Sequence, residues 1–191
     1  MNIWKSSKEK LHSTKWLALM AFFLALRIIC SRFSVPVGVN LNVSLSFVLV
    51  ALSGALFGPV AGSVFAFAED ILEFMLFPSP YGFFAGYTLS AVLGILCYAF
   101  FFYEKKITIL NILLAKLLSS YVVNVCIGSF WNWIITGKSK AYLYYATKSF
   151  IKNTTLLPIQ IVLLVLVFNL LIPVLSRKQL IKSQSVPVSW K

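Results

Sequence analysis

Residues 43–77 read VSLSFVLVALSGALFGPVAGSVFAFAEDILEFMLF: two apolar runs divided by Gly58-Pro59, the second carrying a cluster of acids near its end. A helix needs roughly 20 mainly apolar residues to cross a bilayer. The first run, 43–57, is short for that task and the second, 60–77, is nearly long enough. A Gly-Pro pair interrupts a helix, because proline lacks the N–H that the preceding turn needs. The stretch therefore predicts two membrane helices meeting at a tight turn.

Similar runs lie on either side. Upstream, 16–33 is apolar and ends in Ser34-Val35-Pro36-Val37-Gly38, a breaking segment. Downstream, Pro78-Ser79-Pro80-Tyr81-Gly82 forms a turn before a fourth span at 83–103. Glu104-Lys105-Lys106 precedes a long fifth span, 107–135. A polar and aromatic segment, 136–153, leads as an outer loop to the sixth span, 154–175. The fold expected is an all-α integral membrane protein of six transmembrane helices. They form a single membrane domain over 1–176, preceded by a basic segment over about 1–15 and followed by a basic, solvated tail at 177–191. No cleavable signal peptide is evident, since the run from Trp16 lacks a small-residue cleavage site.

Composition agrees. The chain is 60% hydrophobic, has a mean hydropathy of +0.89 and carries only 12% charged residues, too few for the surface of a soluble domain. Basic residues outnumber acidic ones 17 to 5, which in a soluble protein would point to nucleic acid. Here the lysines flank apolar spans, so orientation and lipid headgroups account for them and no nucleic-acid partner is expected. Ten basic residues, Lys5, Lys8, Lys10, Lys15, Lys105, Lys106, Arg177, Lys178, Lys182 and Lys191, fall on one side. Lys138, Lys140, Lys148 and Lys152 fall on the other. The positive-inside bias then makes both termini cytoplasmic.

Ionisable residues inside a membrane are costly, about 2.5–3.5 kcal/mol each on insertion scales, and usually have a task. Glu69, Asp70 and Glu73, at spacings of three and four, are expected on roughly one face of the third span, with Arg27 and Arg32 of the first span as counter-charges. The acids and bases either fix helix packing or line a pocket, and Glu73 sits near enough to the outer end to reach the interface. Lys116, Ser120 and Asn124 recur at four-residue intervals as a polar stripe. Trp131 and Trp133 flank Asn132, either as an interfacial belt or as stacking surfaces for a ligand. Ala21 and Ala25, with Ala18, form a flat patch, and Gly54, Gly58 and Gly62 repeat the spacing that lets helices approach closely.

Catalytic motifs are not evident. Gly137-Lys138-Ser139 lacks the glycine of a phosphate-binding loop, Asn132 standing in its place. His12 is the only histidine, which leaves no His-paired zinc site and no Ser/His/Asp triad. Cys30, Cys97 and Cys126 are spaced as buried free thiols. Asn42-Val43-Ser44 and Asn153-Thr154-Thr155 match a glycosylation pattern of high chance rate. Neither a cofactor nor a metal is expected.

Four stretches in order resemble a known family. They are Ala21 and Ala25 with Ser31-Arg32-Phe33-Ser34; Ser44-Leu45-Ser46-Phe47 through Gly54-Ala55-Leu56-Phe57-Gly58-Pro59; Phe77-Pro78-Ser79-Pro80-Tyr81-Gly82-Phe83-Phe84-Ala85-Gly86-Tyr87-Thr88-Leu89-Ser90; and Lys148-Ser149-Phe150-Ile151-Lys152-Asn153 through Leu157-Pro158-Ile159-Gln160. Together they are similar to the substrate-binding S component of energy-coupling factor (ECF) transporters, and within it to the folate-specific branch. The chain departs from that pattern where Lys148 stands for a common Arg, and in the extra acids Glu69 and Glu73.

The resemblance implies a six-helix bundle in the bacterial plasma membrane with an outward-facing pocket capped by the first, third and fifth loops. It also implies partners, a membrane T component and two cytoplasmic ATPases, with Ala21 and Ala25 contacting the T component. Folate or a reduced folate would be the ligand. A carboxylate, Asp70 or Glu73, suits the amino group and ring N–H of its pterin. Arg32, Lys148 and Lys152 suit its dianionic tail, and Phe84, Tyr87, Trp131 and Trp133 offer stacking faces. The rival readings are an S component for riboflavin, thiamine, biotin or a queuosine precursor, a small intramembrane enzyme acting on lipid-linked substrates with Mg²⁺ on the three acids, and a structural membrane subunit.

Overall fold

The computed structural model describes residues 3–38, 41–80, 82–181 and 187–190. A short helix α1 (Ile3–Glu9) and a 3₁₀ turn (Lys10–His12) lead into α2 (Thr14–Arg32). An antiparallel hairpin follows, β1 (Ser34–Gly38) with β2 (Leu41–Ser44), in the register Ser34 opposite Ser44 and Val35 opposite Val43. Then come α3 (Ser46–Leu76) and α4 (Ala85–Phe102). α5 (Ile109–Leu118), a π-helical stretch (Ser119–Ile127) and α6 (Gly128–Ile135) form one continuous rod. α7 (Tyr142–Arg177) is the last helix among the described residues. Five of these units are long and apolar enough to cross a membrane.

The expected break in the decisive stretch is present inside α3. Gly58 has φ 76° and ψ −169°, a conformation side-chain-bearing residues avoid, so the helix ladder stops there and restarts at Pro59. A Cβ at Gly58 would also lie 2.8 Å from the Tyr103 ring. Gly54 and Gly62 let α3 lie against α4, where added Cβ atoms would meet Tyr98 and Ile95 at 2.8 and 2.7 Å.

A break in a buried helix exposes backbone groups that need partners. α1 supplies them. The Ser7 hydroxyl donates to the Phe57 carbonyl at 2.7 Å and accepts from the Val60 and Ala61 N–H groups, both at 3.0 Å. Lys10 Nζ donates to the Leu56 carbonyl and lies over the rings of Trp16 and Tyr103. The basic N-terminal segment is thus built into the fold at this end.

Three expectations need correction. The fold is helical apart from the hairpin, which the Pro- and Gly-containing breaking segment did not announce. Residues 136–153 are not an outer loop throughout, because α7 begins at Tyr142 and its 36 residues reach about 54 Å, well beyond a hydrocarbon core of about 30 Å. Lys148 and Lys152 therefore sit on a helix. Nor is the tail simply solvated. Val188 is buried in the core, its N–H bonded to Asn169 Oδ1 at 2.7 Å. The Ser189 and Trp190 carbonyls accept from Ile109 and Leu110, the first N–H groups of α5. Tyr81, Lys182 and Lys191 lie outside the described residues.

Candidate functional site

A cavity of about 290 Å³ lies where α2, α3, α4 and α5 meet. Its polar lining is Arg27 from α2, Ser90 and Tyr98 from α4, and Lys116, Ser119 and Asn124 from the α5 rod; Phe47 and Val50 add apolar wall. Among the described residues no carboxylate lines it. Arg27 is held from behind, with Nη1 3.0 Å from Glu69 Oε2 and both side chains buried. Its Nε has no hydrogen-bond partner. Lys116 is 3% exposed, and its Nζ sits 5.0 Å from the centroid of the Phe47 ring. Among the described residues no carboxylate is within ion-pair distance of it. A buried cation without a counter-ion is costly, so its presence on a cavity wall marks a ligand-facing position.

Each acid of α3 has a partner. Glu69 pairs with Arg27, and Glu73 pairs with Arg32 while its Oε1 lies 2.8 Å from Ser31 Oγ. Arg32 also covers the Phe77 ring. Asp70 accepts from the Thr88 hydroxyl at 2.6 Å. The three do not share a face: Glu69 and Glu73, one turn apart, meet α2, whereas Asp70, a hundred degrees round the helix, meets α4. Among the described residues no group of three His, Cys, Asp or Glu side chains converges to hold a metal.

The aromatic residues divide. Phe84 and Trp131 meet edge to face at 5.5 Å, Phe84 and Tyr87 at 5.7 Å. Trp131 Nε1–H donates to Ser90 Oγ at 3.0 Å, and Ser90 lines the cavity, so this cluster sits at its edge. The Tyr87 hydroxyl donates to Asn132 Oδ1 at 3.0 Å. Gly86 makes room for the cluster, since a Cβ there would run into the Phe84 ring and lie 2.8 Å from Trp131. Trp133 turns elsewhere, toward Phe130 and the Lys138 ammonium.

Lys148 and Lys152 are exposed on the N-terminal part of α7, Lys148 bordering a separate open depression with Leu143 and Tyr144. Arg32 and Glu73 thus pair between α2 and α3, Asp70 bonds to α4, and Phe84, Tyr87 and Trp131 form one cluster; none of these six is on the cavity wall itself, and Trp133, Lys148 and Lys152 join neither it nor them. Ala21 and Ala25 are exposed on α2, as is Ala18. Tyr98 and Ser119 are cavity residues that no motif marked, and Phe47 and Ser90 lie in quoted stretches that gave them no site role.

The chain matches the family model described as "ECF-type riboflavin transporter, S component" over residues 11–177. It is 32% identical over 145 residues to the folate transporter FolT of Clostridium novyi (strain NT), covering 76% of this chain and 83% of that relative. It is 28% identical over 152 residues to FolT of Leuconostoc mesenteroides subsp. mesenteroides, covering 78% and 81%. A solved structure described as a crystal structure of FolT bound with folic acid superposes with a TM-score of 0.68 at 31% identity, over 78% of this chain and 88% of that one. A family model spanning most of the chain, relatives matched along most of their length and a shared backbone agree, and the chain belongs to the S-component family of ECF-type transporters, multi-pass bacterial membrane proteins that carry substrates rather than transform them.

Proposed function

We infer that this chain is the folate-binding S component of an ECF-type vitamin uptake transporter. The observation that carries the reading is the match, over 88% of its length, to a FolT structure holding folic acid. The cavity adds a chemical reason. At about 290 Å³ it lies at the lower limit of small-molecule pockets, so it takes one ring system of an extended ligand rather than the whole of it. The pterin enters this space past Phe84, Tyr87 and Trp131, which offer flat faces for stacking. Asp70 or Glu73 exchanges its present partner, Thr88 or Arg32, for the pterin amino group and ring N–H. The tail's carboxylates remain toward the outer ends of the helices, near Arg32, with Lys148 and Lys152 adding positive charge on the same side.

An arrangement of six spans with both termini in the cytoplasm is supported by the break at Gly58, which divides α3 in two, and by the positive-inside bias of the basic residues. Ala21 and Ala25, exposed on α2, form the contact with the membrane T component, and two cytoplasmic ATPases supply the energy. A second reading, riboflavin as ligand, is favoured by the description of the family model. The lipid-modifying enzyme loses its support because the three acids do not converge. The test is what co-purifies with the detergent-solubilised chain, read by absorbance and mass spectrometry. A stoichiometric folate supports the reading, and a flavin would replace it.

A further inference from the structure

We propose that Lys116 reads the oxo edge of the pterin, and that it thereby makes the site discriminate 4-oxo pterins from 4-amino pterins. The inference rests on the folate reading above. The cavity wall carries two groups that only donate, Arg27 and Lys116, beside Ser90, Ser119, Tyr98 and Asn124, which donate or accept, and among the described residues no carboxylate. With two donor-only cations and no carboxylate facing it, the buried end of the ligand is best matched by acceptors. Folate has two such ends, the glutamate tail and the O4/N5 edge of the pterin.

Charge decides between them. Arg27 is matched by Glu69, which leaves Lys116 as the one cation of the cavity without a counter-ion among the described residues. Two tail carboxylates placed here would exceed that single charge and leave an unmatched anion inside the bilayer. A neutral ring whose carbonyl accepts from the ammonium leaves no anion behind. Lys116 Nζ also lies over Phe47, so the wall beside it is aromatic and suits a flat ring. As an ammonium it offers three donors and no lone pair to accept with. It satisfies a carbonyl at position 4 and opposes an amino group there, which brings donor against donor. Arg27 does not duplicate the role, since Glu69 fixes its orientation.

The test is a set of titrations on the purified full-length chain with folate, pteroate, which lacks the glutamate tail, and aminopterin, in which the 4-oxo group is an amino group. The wild-type chain is expected to prefer folate to aminopterin by about tenfold or more. Lys116→Met is expected to weaken folate and pteroate by the same factor and to erase the preference over aminopterin. Lys116→Gln, which keeps a donor, retains part of it. Equal binding of folate and aminopterin by the wild-type chain overturns the proposal without any variant. A loss confined to folate, with pteroate unaffected, overturns it by assigning Lys116 to the tail. A uniform loss across all three ligands overturns it by showing a packing role. If the wild-type chain binds no pterin at all, the folate reading itself falls, and this outcome is distinct from the others.

Discussion

Replacing Glu69 by Gln removes the charge that offsets Arg27 while keeping the side chain's volume. The Glu69 side chain is 3% exposed and the Arg27 side chain 11%, so water does not compensate the loss. Arg27 would then stand uncompensated on the wall of a cavity that already holds Lys116. Removing one partner of a buried ion pair costs about 3–5 kcal/mol. In a chain of this size each kcal/mol lowers the melting temperature by about 2–4 °C, which gives a fall of roughly 6–20 °C. The assay is thermal unfolding of the chain in lipid nanodiscs, with the double replacement Arg27→Met with Glu69→Leu as the control. That double variant carries no buried charge and is expected to recover most of the loss, because replacing both members of a buried pair by apolar groups is often neutral. A single variant as stable as wild type would refute the reasoning. So would a double variant that falls as far as the single, which would make packing rather than charge the cause.

Other outcomes follow from particular contacts. Ser7→Ala strips the hydroxyl that serves three backbone groups at the Gly58 break, and is expected to cost about 1–3 kcal/mol, read as a lower melting temperature. Burial lowers the Lys10 ammonium to about 8, against the opposing pull of Glu104. Between pH 8 and the ordinary 10.5 the unfolded chain binds more protons at this position, so stability rises with pH in that window. Thermal melts should show the rise in wild type relative to Lys10→Met. Trp131→Leu removes the Phe84 edge contact and the bond to Ser90, and is expected to weaken folate binding about fivefold to tenfold by titration. Ala21→Trp with Ala25→Trp should abolish folate uptake by cells while the isolated chain still binds ligand; loss of binding as well would assign those alanines to folding.

Hydropathy located the spans because bilayer crossing is a property of composition over about 20 residues, and Gly58-Pro59 was legible because both residues act on the local backbone. The N-terminal turns of α7 escaped the same reading. A helix continues beyond the hydrocarbon wherever nothing breaks it, and Tyr142, Tyr144 and Tyr145 carry no hydropathy signal for that. α1 was read only as charge, since the groups that Ser7 serves become visible once the break in α3 is built. The pairing of acids with Arg27 and Arg32 was legible from position along the spans, but Asp70's different face was not, because spacings of three and four within a cluster ignore the one-residue offset between Glu69 and Asp70.

The cavity was half legible. Lys116 and Asn124 of the four-residue stripe do face it, but Ser120 is fully buried away from it and Ser119 takes the position instead. Lys116 and Ser119 lie three residues apart, on one face of an α-helix, and Ser119 and Asn124 lie five apart, the spacing that the i→i+5 bonds of the π-helical stretch from Ser119 to Ile127 bring into line. Such stretches recur at functional sites, and no residue pattern in this chain announces one. Trp131 and Trp133 looked equivalent in sequence and separate only because the rod turns one toward Ser90 and the other toward Lys138.

The most direct test of the central claim is calorimetric titration of the purified chain with folate and, in parallel, with riboflavin. The account predicts saturable, one-to-one binding of folate and none of riboflavin at the same concentrations. Binding of riboflavin with no response to folate would contradict it, keeping the family while changing the vitamin the cavity is built to hold.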